Sequence, residues 1–80
     1  MSKYSSLHRY LEREAGPSVE MTFDEIDDVV GGLPASARRY QAWWSNEPEG
    51  THVQARAWMD AGWRVANVNL TAKRVRFTRV

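Results

Sequence analysis

Four tryptophans fall within residues 43–63 of an 80-residue chain that has no cysteine. Each is a large apolar group, and a chain of this length has room for one hydrophobic core only. Without disulfides or cysteine-bound zinc, that core must carry the fold by itself. Truncating a buried tryptophan or phenylalanine costs about 3–5 kcal/mol, which is comparable with the whole stability of so small a domain. Trp43, Trp44, Trp58 and Trp63 therefore decide what the chain can fold into, and the surrounding segments must be arranged to bury them.

The segments are legible from periodicity and punctuation. Residues 5–14 read as a helix with Tyr4, Leu7, Leu11 and Ala15 on one face, ended by Gly16-Pro17. Residues 18–21 alternate as a short strand, with Val19 and Met21 inward and Glu20 facing water. Thr22-x-x-Glu25 is a capping box that opens a second helix, whose buried stripe is Phe23, Ile26, Val29 and Val30 and whose stop is Gly31-Gly32. Past Leu33-Pro34 a third helix is expected over about 35–44, with Ala37, Tyr40, Trp43 and Trp44 at helical spacing. Residues 46–50 are a turn. Thr51-x-x-Gln54 is a second capping box, opening a fourth helix over about 52–61 that buries Val53, Ala57, Trp58 and Ala61. Trp63 to Leu70 is a strand whose inward phase changes between Trp63/Val65 and Val68/Leu70, so a bulge is expected near Ala66-Asn67. Thr71-Ala72-Lys73 turns the chain into a last strand, residues 74–79, with Val75 and Phe77 inward and Arg74, Arg76 and Thr78 outward.

This order is a single α+β domain over residues 1–80. It matches the order of a winged helix with one added helix: three to four helices packed on a small antiparallel sheet that ends in a β-hairpin. The charges sort along the chain. Residues 1–49 hold five bases and nine acids, for −4, whereas residues 50–80 hold six bases and one acid, for +5. A basic C-terminal end follows, or equally a solvated sheet face with alternating arginines. No apolar run approaches the ~20 residues that span a bilayer, and residues 1–12 lack the apolar stretch of a signal peptide. The expectation is a cytoplasmic protein with no membrane partner.

One pattern is distinctive as a whole: Leu33-Pro34-x-Ser36-Ala37-Arg38-x-Tyr40-x-x-Trp43-Trp44-x-Asn46, then Gln54-x-x-x-Trp58 and Gly62-Trp63-x-Val65. It resembles a group of small bacterial and phage domains of unknown function. The similarity extends over nearly the full length and includes Tyr4, Leu7, Phe23 and Ile26. The resemblance implies a shared fold and a bacterial or phage origin. It carries over neither a catalytic residue nor a ligand.

Catalytic and metal chemistry find little support. His8 and His52 lie on different helices without a third ligand at metal spacing. Asp24, Glu25, Asp27 and Asp28 are a solvated helix face whose first turn suits capping. Gly31-Gly32 ends a helix instead of opening one, so it is no phosphate loop, and Ser36 sits at a helix start, where serine caps. Neither enzyme activity nor a cofactor is expected.

The remaining signal is the interleaving of bases and amides with the tryptophans. Arg38, Arg39, Gln41, His52 and Arg56 would line whichever helix, 35–44 or 52–61, enters a DNA groove. Arg64, Lys73, Arg74 and Arg76 would bring the hairpin to phosphates. Competing roles are structural: Arg38 held by an acid such as Asp27 or laid on a tryptophan, and Asn46 bonding or turning the end of its helix. The leading expectation is a non-enzymatic DNA-binding domain acting as a homodimer or beside a partner. The alternative is a protein-interaction module, such as a phage-encoded modulator of a host protein, using its aromatic surface or the acidic helix.

Overall fold

The computed structural model describes residues 2–47 and 53–80. Its elements in chain order are α1 (Ser5–Glu12), β1 (Ser18–Thr22), α2 (Phe23–Val30), α3 (Ala35–Arg39), a 3₁₀ turn (Gln41–Trp44), α4 (Val53–Met59), β2 (Trp63–Asn69) and β3 (Arg74–Arg79). The strands form one antiparallel sheet in the order β1-β3-β2, so the C-terminal strand lies in the middle. This is the expected α+β arrangement of helices packed with a small antiparallel sheet.

Local chemistry accounts for most boundaries. Thr22 accepts from the Glu25 N–H at 3.0 Å and the Glu25 carboxylate accepts from the Thr22 N–H at 2.8 Å, which closes the capping box. Gly31 ends α2 in the left-handed region, with φ 78°. Along β2, Trp63 pairs with Arg79 and Val65 with Phe77, but Asn67 pairs with Arg76, so Ala66 is the bulged residue. The bulge moves the inward phase from Trp63/Val65 to Val68 and keeps both halves of the strand on the core. In the hairpin loop the Asn69 side chain accepts from the Ala72 N–H at 2.9 Å, and Lys73 takes φ 59°.

The core is a chain of rings. Trp44 stacks on Phe23 at 5.6 Å between centroids and on Trp58 at 5.9 Å, and Trp58 meets Phe77 at 5.8 Å. Trp43 stands edge-on to Trp44 at 4.6 Å and to Tyr4 at 5.8 Å. Trp44, Trp58 and Trp63 are fully buried, while Trp43 is half-buried. Every buried indole N–H has an acceptor: Trp44 donates to the Ala37 carbonyl at 2.8 Å, Trp58 to Asn46 Oδ1 at 2.9 Å and Trp63 to the Leu11 carbonyl at 3.0 Å. That satisfaction is required, because an unpaired donor in such a core costs about 1–3 kcal/mol.

Several expectations need correction. The third helix does not run over 35–44. It stops at Arg39, Tyr40 is extended (φ −125°, ψ 123°), and a 3₁₀ turn follows. In a continuous helix the Ala37 carbonyl would accept from the Gln41 N–H. Here the Trp44 indole takes that acceptor, and tertiary packing overrides the local preference. Tyr40, expected on the buried stripe, is 61% exposed, and Val53 is 52% exposed. The first helix ends at Glu12, and Ala15 is exposed. β2 ends at Asn69, one residue short of the expected Leu70. The turn at 46–50 and the capping box opened by Thr51 lie largely outside the described residues.

Candidate nucleic-acid interface

The helices pack on one face of the sheet and leave the other open. On the open face the register places three rows across β1, β3 and β2: Ser18, Thr78 and Arg64; then Glu20, Arg76 and Asn67; then Thr22, Arg74 and Asn69. An antiparallel sheet with one wet face alternates in this way, and the rows are entirely polar. Arg74 pairs with Glu20 at 2.9 Å. Arg64 and Arg76 are exposed and make no ion pair or side-chain hydrogen bond among the described residues. Lys73 is exposed at the hairpin turn.

The helical candidates are placed differently. Arg38 leans on α2, 3.2 Å from Asp24 and 3.7 Å from Asp27. Asp27 also accepts from the Leu33 N–H at 2.6 Å, so it ties the α2–α3 connection together. Arg39 is exposed without a partner among the described residues. Gln41 does not point toward a ligand; it donates to the Val68 carbonyl at 3.0 Å. Arg56 lies 3.8 Å from Asp60, four residues along α4. His52 lies outside the described residues. The structure thus gathers Arg64, Lys73, Arg74 and Arg76 on the sheet and its hairpin, and separates them from Arg38, Gln41 and Arg56.

Asn46 has a structural duty. Its Oδ1 accepts from the Val65 N–H and its Nδ2 donates to the Val65 carbonyl, both at 2.9 Å, while Oδ1 also receives the Trp58 indole. Asn46 and Gln41 together occupy backbone groups along the free edge of β2, where unpaired groups invite another strand. Six polar members of the open face, Ser18, Glu20, Thr22, Asn67, Asn69 and Thr78, were absent from the expected site. The outward alternation of the strands was the signal for them.

Two tyrosine ionisations are shifted in the helical layer. Tyr4 is raised by burial, and Tyr10 by burial and then by the nearby Glu14 and Glu25 carboxylates. Neither tyrosine lies on the sheet face. Among the described residues no three His, Asp or Glu side chains gather closely enough to share a metal ion, and no helix is long and apolar enough to cross a membrane.

A family model described as a domain of unknown function, DUF7662, matches residues 4–80. The chain belongs to that family. The match runs through every element from α1 to β3, so the tryptophan core, the capped α2 and the basic hairpin all fall within the DUF7662 unit. No curated protein and no solved structure matches the chain. The DUF7662 assignment therefore fixes kinship and leaves chemistry to the site.

Proposed function

We propose that this DUF7662 domain is a non-enzymatic nucleic-acid-binding module, with duplex DNA as its first partner. Its contact surface is the open sheet face and hairpin. One observation carries the reading: among the described residues Arg64 and Arg76 stand free on adjacent strands, on a face whose paired outward positions are all polar, with Lys73 and Arg74 at its hairpin end. Free guanidinium groups on a rigid sheet are suited to phosphate contact, where most protein–DNA hydrogen bonds go. The order helix, strand, helices, strand, strand, with the C-terminal strand central, supports a winged-helix-like arrangement in which β2–β3 is the wing. A bacterial or phage source and a cytoplasmic setting fit this role.

Three unpaired cations (Arg64, Arg76 and Lys73) each neutralising a phosphate give a salt slope of about −2.7. Affinity for a short fluorescent duplex then falls about 40-fold between about 50 and 200 mM salt. Arg64→Ala with Arg76→Ala should abolish most of that dependence. Arg9→Ala with Arg13→Ala removes equal charge from arginines of the helical layer and should not. Equal losses from both pairs, or no binding at low salt, refute the proposal.

A protein partner is the second reading, favoured by the exposure of Tyr40 and Val53 beside the tryptophan-rich segment. Under that reading the duplex is ignored, and Tyr40→Ala weakens capture of the partner.

A further inference from the structure

Thr78 raises a question that the nucleic-acid reading does not answer by itself. Its hydroxyl is buried and has no hydrogen-bond partner among the described residues. Buried hydroxyls are nearly always satisfied, and an orphan calls for an explanation. Thr78 lies in the middle strand with Ser18 directly across on β1 and Arg64 directly across on β2. Arg76 precedes it by two residues on the same face. Cβ atoms directly opposite each other on a sheet are about 4.5–5.5 Å apart, and diagonal neighbours remain within reach of a long side chain.

We infer that Ser18, Thr78, Arg64 and Arg76 form a seat for one phosphate group. The inference rests on the proposed nucleic-acid reading and names the group that reading would place there. Two hydroxyls offer donors to phosphate oxygens, and two guanidinium forks supply charge and paired N–H donors. The one carboxylate in the neighbouring row, Glu20, is already engaged by Arg74. Arg64 lies directly across from Thr78 and Arg76 two residues before it, and both are exposed, so either guanidinium can swing toward a group seated over Thr78. Every contact goes to phosphate and none to a base edge, so the seat positions a nucleic acid without reading its sequence.

Thr78→Val separates this role from a structural one. It keeps the shape and removes a hydroxyl that has no partner, so the melting temperature should hold or rise. Binding should fall about tenfold, the loss expected of one hydrogen bond to a charged group. The salt slope should stay unchanged, because no charge is removed. Thr78→Ser should restore binding.

The direct test is a titration of the intact protein with inorganic phosphate against chloride at equal ionic strength, followed by amide NMR. Saturable shifts at Ser18, Arg64 and Thr78 that vanish in Thr78→Val support the seat. An absence of such shifts in the wild-type protein overturns it, whatever the variants do, and so does wild-type binding by Thr78→Val. A short duplex titrated in parallel keeps the two readings apart. Phosphate shifts without duplex binding keep the seat, refute the nucleic-acid reading and point to a smaller phosphorylated ligand. Duplex binding without phosphate shifts does the reverse.

Discussion

Replacing Asn46 by alanine tests the central structural argument. The side chain makes three bonds of 2.9 Å, to the Trp58 indole and to both backbone groups of Val65. Their loss is unequal. Val65 N–H and C=O lie on the free edge of β2, where water replaces the amide at little cost. The Trp58 indole is worse placed: Trp58 is 0% exposed, and only a water ordered in the space vacated by the amide reaches its N–H. An orphaned buried donor costs about 1–3 kcal/mol, and two rehydrated edge groups add up to about 1 kcal/mol. The expected destabilisation is about 2–4 kcal/mol, a large fraction of what a domain of this size possesses.

Urea unfolding followed by tryptophan fluorescence reads this directly, and the melting temperature should fall by about 10 °C or more. Asn46→Asp keeps the acceptor for Trp58 and loses only the donor to the Val65 carbonyl, so it should fall between wild type and alanine. A double-mutant cycle with Trp58→Phe should show coupling of about 1 kcal/mol, because phenylalanine has no N–H to orphan. A loss below about 0.5 kcal/mol for Asn46→Ala, or no coupling, would refute the claim that Asn46 serves the tryptophan core.

Two further predictions concern α2. The Glu25 carboxyl is held below its ordinary value of 4.5, first by the bond from the Thr22 backbone and then by the Thr22 hydroxyl. A depressed carboxyl adds stability above its unfolded value and loses it as pH falls through the folded one. The stability gap between wild type and Glu25→Gln should therefore be constant near neutrality and close below about pH 4.5; a gap that widens in acid contradicts the capping role. Gly31→Ala should cost about 1 kcal/mol by chemical denaturation, because Gly31 has φ 78° and an added Cβ meets nothing within 4 Å, which leaves only backbone strain. No loss would mean that the turn relaxes.

Features governed by close neighbours along the chain were legible in the sequence. Thr22, Glu25 and Gly31 punctuate α2 through bonds spanning three to five residues, and the bulge at Ala66 follows from the change of phase along its own strand. What escaped the sequence was governed by distant competition for the same atoms. The break at Tyr40 depends on the Trp44 indole taking the Ala37 carbonyl, and a periodicity of apolar residues carries no information on that contest. Val53 and Tyr40 fit a helical stripe by spacing and are nonetheless exposed, because the stripe itself was interrupted or turned.

The same competition explains why the candidate site, expected on both helices and hairpin, narrows to the sheet and its hairpin. The segment 38–56 has the composition of a base-reading surface, with arginines and amides set between tryptophans. Yet its amides are consumed internally: Gln41 by the Val68 carbonyl, Asn46 by Val65 and Trp58, and Gln54 by the Trp43 carbonyl at 3.0 Å. Two of its arginines face carboxylates, Arg38 at α2 and Arg56 at Asp60. A core built of large rings and irregular turns exposes many backbone groups, and amide side chains are the means of closing them. Regular strands satisfy their own backbone through the ladder and leave their outward side chains unspent. The surface with free donors is therefore the ordinary-looking alternation of β2 and β3, and Arg64 and Arg76 are the residues whose removal should be felt in binding while the fold stays intact.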